Sequence, residues 1–332
     1  MTIRRRLTLL VCALIACMLA PLTAQSLSEP VTIAVLRADG IIVPIASWSG
    51  KRWENRWPVP EKSVSTPITV SDIPGGWWGK SGPVAEWHVW TLDGNRSTAL
   101  IKRPSWYLAH CQQGVGLLSN AEVRVPPPPP VVQPYPKAGL ASSAPLPFQP
   151  VAVMHESSPV WKAIPRTIEE RVAQREDELA RGYLQDGWDH PYSREERRIV
   201  DIEVESLFRT PLNGGKFLYY FEAVKQYVED PARNPPRPGA KPCDVLTFAR
   251  GWFVAGNSDT ELTIDALEVR MTSCDFADVD VMLPLAYLRI DDAPLWIVQL
   301  SGWGRERFAL IRFTEGKPEI VFATHGGECR RV

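Results

Sequence analysis

Asp186-Gly187-Trp188-Asp189-His190 places two carboxylates and an imidazole in one short run. Such a set suits proton transfer or cation binding. It equally suits the loop after a helix, where Asp and Gly are at home. Asp186, Asp189 and His190 are therefore the candidate catalytic residues of a secreted hydrolase of unrecognised type, set against a plain connecting loop.

The better-known catalytic patterns fail on inspection. Pro74-Gly75-Gly76-Trp77-Trp78-Gly79-Lys80-Ser81 superficially follows a phosphate-binding loop. Pro74 takes the place of the first glycine, however, and two tryptophans fill positions where backbone amides must wrap phosphate. Gly82-Pro83 then leaves no helix start to face the anion. Neither G-x-S-x-G nor H-E-x-x-H occurs. Asp275, Asp278 and Asp280 have the oxygen density of a calcium loop without its spacing, and they read as a solvated turn. His325-x3-Cys329 has a ligand-like spacing but no C-x-x-C partner. No metal and no cofactor are expected, and the chain leans towards a non-enzyme.

Tryptophan is the most unusual residue. Eight of 13 fall between Trp48 and Trp106. Flat aromatic faces stack on sugar rings and on peptides. Trp77 and Trp78 sit in a Gly-rich stretch that is hard to pack into a core. Trp87 and Trp90 share a strand but lie three apart, so they face opposite sides, and one at least is expected outside the core. Trp77, Trp78, Trp87 and Trp90 are the candidate ligand-binding residues, with core packing as the competing reading.

The context for either reading is export. Arg4, Arg5 and Arg6 precede the apolar run Leu7 to Leu19, and Leu22-Thr23-Ala24 offers a small residue before Gln25. That is the three-part pattern of a cleaved signal peptide over 1–24. Cys17, after Leu14-Ile15-Ala16, gives a minority alternative of lipid anchoring. No later stretch is apolar enough to span a bilayer. The expected location is periplasmic or secreted. Thirty-seven basic against 38 acidic residues give a formal charge of −1. That balance excludes electrostatic binding to nucleic acid. An envelope glycan or another envelope protein is the expected partner.

Cys12 and Cys17 lie in the signal, which leaves Cys111, Cys243, Cys274 and Cys329 for disulfides. Four cysteines allow three pairings. Only Cys111 precedes the proline-rich stretch, so full pairing requires one bridge from the front half to the rear. Cys111–Cys329 with Cys243–Cys274 is favoured, because Cys243 and Cys274 flank adjacent predicted strands.

The elements that must position these residues are mainly strands. Val31–Leu36 and Ile41–Ile45 flank an Asp39-Gly40 turn. A short strand is expected at Ile68–Ile73, and a hairpin across Val84–Leu92 and Thr98–Ile101. Five consecutive prolines, Pro126 to Pro130, followed by Pro134, Pro136, Pro145, Pro147 and Pro150, read as a semi-rigid spacer over 124–150. One amphipathic helix is expected at Ile168–Tyr183, capped by Thr167, and a capping box at Ser193–Glu196 opens a short second turn. From Val200 the period changes to two, and at least six further strands with short turns follow.

The expected architecture is mainly β with minor α+β character. A Trp-rich β region (25–123) joins through the spacer to a domain over 151–332, one helix followed by an antiparallel meander or barrel. The expected function is a non-catalytic cell-envelope or secreted binding module that takes a glycan or protein ligand.

Overall fold

The computed structural model describes residues 27–329 apart from 28, 56, 58–66, 74–83, 93, 124–136, 181–189, 191, 228–244, 274–278, 291 and 315. The chain is mainly β, with antiparallel pairing throughout its named strands.

The front region is a closed barrel. Strands β1 (Val31–Arg37) and β2 (Ile41–Trp48) form the hairpin expected around Asp39-Gly40. The short β3 (Trp53–Glu54) pairs with β2. Strands β4 (Glu86–Thr91), β5 (Arg96–Ala109), β6 (Gln112–Ser119) and β7 (Lys137–Ser142) complete the set. The order is β1-β7-β4-β5-β6-β2, and β1 pairs with β2 to close six strands. Closure removes the exposed sheet edges that an open sheet would carry.

Strand β7 lies inside the stretch read as a spacer. Residues 124–136, including the five consecutive prolines, fall outside the described residues. Beyond them Lys137–Ser142 is a strand with neighbours on both sides, β1 and β4. A central strand is possible there because no proline occurs between Pro136 and Pro145. Gly139 is required at its crossing with β4. It has φ of +158°, and a Cβ there would lie 2.1 Å from the Trp90 carbonyl oxygen.

The barrel has two apolar surfaces. Leu36, Ile42, Trp87, Val89, Val115 and Leu117 pack together as one core, and the Trp57 indole donates to the Val115 carbonyl at 2.6 Å. Ile33, Val35, Trp90 and Leu140 belong to a second core shared with the rear of the chain. Ile68–Ile73 is not a strand; Val70–Asp72 forms a single 3-10 turn, with Asp72 accepting from the Thr69 amide at 2.8 Å.

The rear region adds a helix and two sheets. Ala152–Val153 is β8, and α1 runs over Pro159–Leu179. The helix starts nine residues before the expected Ile168, because Ser158 caps it by accepting from the Trp161 amide. Pro159 sits at the first position, where no amide donor is needed. Thr167 lies inside the helix and donates to the Ala163 carbonyl instead of capping. The capping box at Ser193 is as expected and opens α2 (Arg194–Arg198).

Strands β9 (Glu203–Pro211), β10 (Phe217–Tyr227), β11 (Val245–Ala255) and β12 (Ile264–Ser273) form one sheet in the order β12-β11-β10-β9-β8. Strands β13 (Val281–Ile290), β14 (Ala293–Gly302), β15 (Arg305–Thr314) and β16 (Lys317–Glu328) form a four-stranded meander.

These pieces stack as layers. Helix α1 lays Val160, Ile164, Ile168 and Val172 on Tyr219, Phe221 and Phe253 of the five-stranded sheet. Burying each of those aliphatic side chains contributes about 1.5–3 kcal/mol. The opposite face of that sheet sends Leu218, Tyr220 and Trp252 against Met282, Trp296, Val298 and Ile311 of the meander. The meander's other face sends Leu285, Leu288, Leu295, Ile297 and Leu310 against the barrel wall. A sheet covered on both faces needs near-continuous apolar strands, and Pro294 to Ser301 in β14 is buried throughout.

A disulfide joins Cys111, in the turn between β5 and β6, to Cys329 just past β16. Beside it Gly327 has φ of +146°, and a Cβ there would meet Ala109 at 2.7 Å. His325 Nε2 lies 2.8 Å from Gln112 Oε1, and Asn55 donates to Thr324 at 2.7 Å. The paired glycines therefore serve the close approach of strand to barrel. Cys243 and Cys274 lie outside the described residues.

Candidate functional site

A cavity of about 190 Å³ opens where β11, β12 and β15 converge with the start of β13. Its walls are Phe248, Arg250, Glu268, Arg270, Val279, Asp280, Arg305 and Arg307. The strand period explains the grouping. Residues two apart share a face, so Phe248 and Arg250, Glu268 and Arg270, and Arg305 and Arg307 each arrive as a pair. Cross-strand register adds a lateral row: Ser206 faces Glu222, Glu222 faces Arg250, and Arg250 faces Glu268. This row runs on the same face as Tyr220 and Trp252, so it forms the polar end of the core between the two rear sheets.

Two carboxylates are each shared by two arginines. Glu268 Oε2 accepts from Arg250 Nε at 2.8 Å and from Arg250 Nη2 at 2.6 Å. Its Oε1 accepts from Arg270 Nε at 2.6 Å. Asp280 Oδ1 accepts from Arg305 Nε at 2.9 Å, and its Oδ2 accepts from Arg307 Nη2. Arg250 Nη1 also donates to the Asp280 backbone carbonyl at 3.0 Å. Burial pushes both carboxyls up, but Arg307 and Arg305 hold Asp280 below the usual carboxylate range, and Arg270 and Arg250 do the same for Glu268. Both are ionised at neutral pH.

Arginine is in excess. Among the described residues, four guanidinium groups face two carboxylates in the cavity lining, a formal balance of +2 for those six side chains. Each guanidinium has five N–H donors. Arg270 and Arg305 spend only Nε in these bonds, and Arg307 only one Nη2. Among the described residues the remaining Nη groups of Arg270 and Arg305 have no protein partner. The four side chains keep part of their surface open to solvent.

Behind Arg250 lies a buried carboxyl. Glu222 Oε1 accepts from the Tyr220 hydroxyl at 2.6 Å and from the Met282 amide at 2.7 Å, and Oε2 accepts from Ser206 at 3.4 Å. Burial pushes it up to about 7, against the opposing pull of these bonds and of Arg250. Gly302 packs against the Asp280–Arg305 pair: a Cβ there would lie 2.6 Å from Asp280 Oδ1 and 2.9 Å from Arg305 Nε. Trp303 follows in the β14–β15 turn and is 45% exposed.

The residues singled out from sequence fall elsewhere. Asp186, Asp189, Trp77 and Trp78 lie outside the described residues. His190 is buried beneath Tyr227, edge-on at 4.8 Å, and its Nδ1 accepts from the Tyr192 amide at 3.0 Å. Burial pushes the imidazole down to about 4, and Arg197 adds to the effect. Next to it Glu176 accepts from Lys225 Nζ at 3.1 Å and from the Tyr227 hydroxyl at 2.5 Å, while Lys225 also donates to the Arg197 carbonyl at 2.6 Å. This second ionic cluster is closed to solvent.

Trp87 and Trp90 do face opposite sides of β4, but both sides are covered. Trp87 is 2% exposed in the barrel core, and Trp90 is 3% exposed against the meander. Neither offers a free face to a ligand, because the wall expected to meet solvent meets another sheet. Asp280 is likewise no solvated residue; it is buried between two arginines. Cys329 is bonded to Cys111, so its sulfur does not pair with His325 as a metal ligand. Among the described residues no three His, Cys, Asp or Glu side chains converge as a metal site.

Sequence reasoning missed the cavity. The available signal was charge at alternate strand positions, Glu268/Arg270 and Arg305/Arg307, which is costly on a strand unless partners wait opposite. Comparison of the chain with protein-family models, curated proteins and solved structures found no match.

Proposed function

We propose that the mature chain is a non-catalytic module of the cell envelope or the secreted fraction, and that it binds a glycan or protein partner through an anionic group seated in the four-arginine cavity. The observation that carries this reading is the excess of unspent guanidinium donors around Glu268 and Asp280. Each carboxylate occupies one edge of two guanidinium planes and so fixes the direction of the remaining donors before any ligand arrives. Preorganisation of this kind lowers the ordering cost of binding. Among the described residues the lining supplies no hydroxyl, thiol or imidazole as a nucleophile, and both acids are ionised and engaged, which supports binding over turnover.

Titration of the mature protein with oligogalacturonate, an acidic glycan, and with a neutral chito-oligosaccharide tests this. Calorimetry and tryptophan fluorescence are expected to report binding of the acidic glycan alone. Equal binding of both, insensitive to Arg305→Gln, would remove the cavity from the account. The compartment is tested separately. The isolated protein is expected to begin at Gln25 and to carry four oxidised cysteines, with Cys243 bonded to Cys274. An intact leader with free thiols overturns export.

A further inference from the structure

We infer that the group taken by the cavity is a divalent tetrahedral oxyanion, a phosphomonoester, in preference to a carboxylate. The inference rests on the reading of this cavity as an anion site and narrows its chemistry.

Charge is the first argument. Among the described residues Arg250 and Arg270 with Glu268 leave one positive charge on the wall formed by β11 and β12, reduced where the buried Glu222 behind Arg250 ionises. Arg305 and Arg307 with Asp280 leave another on the opposing wall. A monoanion would leave one of these uncompensated in a partly desolvated cleft, whereas a dianion balances both.

Geometry is the second. A carboxylate presents two oxygens in one plane and matches a single guanidinium fork. Here the unspent Nη groups belong to forks on two different walls: Arg270, reached through Glu268, and Arg305, reached through Asp280. A tetrahedral anion directs oxygens to both. Residue type agrees, since among the described residues four arginines and no lysine line the cavity. Guanidinium is weakly hydrated and suits multidentate oxyanion recognition.

The test uses the full mature protein and follows the Arg Nε–H resonances by 15N NMR. Sodium sulfate, sodium phosphate at pH 8 and sodium acetate are added at fixed ionic strength with sodium chloride. Sulfate and phosphate are expected to shift the Arg270 and Arg305 signals saturably, with acetate at least about tenfold weaker. Free sulfate serves here as a stand-in dianion of the same tetrahedral shape. Arg270→Gln and Arg305→Gln, both at partly exposed positions, are each expected to weaken sulfate about tenfold. Arg175→Gln, on the exposed face of α1, is expected to change nothing. Acetate as tight as sulfate overturns the divalent inference while leaving the anion site standing. No saturable shift with any anion overturns both.

Discussion

Glu176–Lys225 and Asp280–Arg305–Arg307 are built from the same kinds of residue and end in opposite states. In the first cluster the numbers match. One carboxylate meets one ammonium and one phenol, the ammonium finds a backbone carbonyl, and the whole is sealed under α1 and α2. In the second, four guanidinium groups meet two carboxylates at an open cleft. A sealed, balanced cluster holds a fold together, whereas an open, unbalanced one has something left to bind. Burial alone does not separate them, because Asp280 is nearly as buried as Lys225. The balance of donors against acceptors does.

The strongest way to break this contrast is to unbalance the sealed cluster. Glu176→Ala strands the Lys225 ammonium in the interior and is expected to cost about 3–5 kcal/mol in denaturant unfolding. Replacing both ends together, Glu176→Leu with Lys225→Met, is expected to restore most of that loss. A single-variant loss under about 1 kcal/mol would mean the cluster is not closed.

Next comes Glu222, which stands between the two behaviours. Its carboxyl faces Tyr220, Arg250, Ser206 and the Met282 amide, and burial raises it from the usual carboxylate range to about 7. The folded state thus holds its proton more tightly than the unfolded chain. That contribution is full below about pH 4.5 and is lost as pH rises through about 7. Over that window stability is expected to fall by about 1–3 kcal/mol, and Glu222→Gln is expected to remove the fall. Parallel pH profiles of the two proteins would place the titration elsewhere.

His190 works in the other direction. Its folded value near 4 lies below the usual imidazole value of 6.5. Stability from this group is present above 6.5 and is lost as pH falls towards 4. The imidazole C–H resonances are expected to titrate with a midpoint near 4; a midpoint near 6.5 would put the ring in solvent.

The smallest stability effect belongs to the open cluster. Arg305→Gln is expected to cost no more than about 1 kcal/mol, because the side chain is partly exposed and Asp280 keeps Arg307. A large loss would move this cluster into the structural class and weaken the binding reading.

Much of the fold was legible in the sequence, and for identifiable reasons. The mainly β class followed from period-two patterning, as in Phe217, Tyr219 and Phe221 against Leu218 and Tyr220, which do take opposite faces of β10. The Cys111–Cys329 bridge followed from parity, which required one front-to-rear bond, and from the placing of Cys243 and Cys274 beside adjacent predicted strands, which left Cys329 as the partner. What stayed hidden was nonlocal. Barrel closure depends on β7, a strand masked by flanking prolines that constrain their own positions but not Ala138–Ala141. The true start of α1 lay outside the apolar repeat that marked Ile168–Tyr183, because it is set by the Ser158 cap and by Pro159, a favoured opening residue. The candidate site draws on β11, β12 and β15, so no local window contains it. The aromatic positions Trp87 and Trp90 misled because a strand pattern reveals two faces but not what covers each one.

The four-stranded meander is also made after every other described element. Until Val281–Glu328 emerges, the barrel and the helix-backed sheet each present a bare greasy wall meant for it. The two halves are consequently poor candidates for separate lives. A clip or premature stop ahead of Val281 leaves both with sticky flanks and no cysteine to latch onto Cys111 from the far end. Such fragments are fated to clump or be degraded, and the cut also parts Arg250 and Arg270 from Arg305 and Arg307.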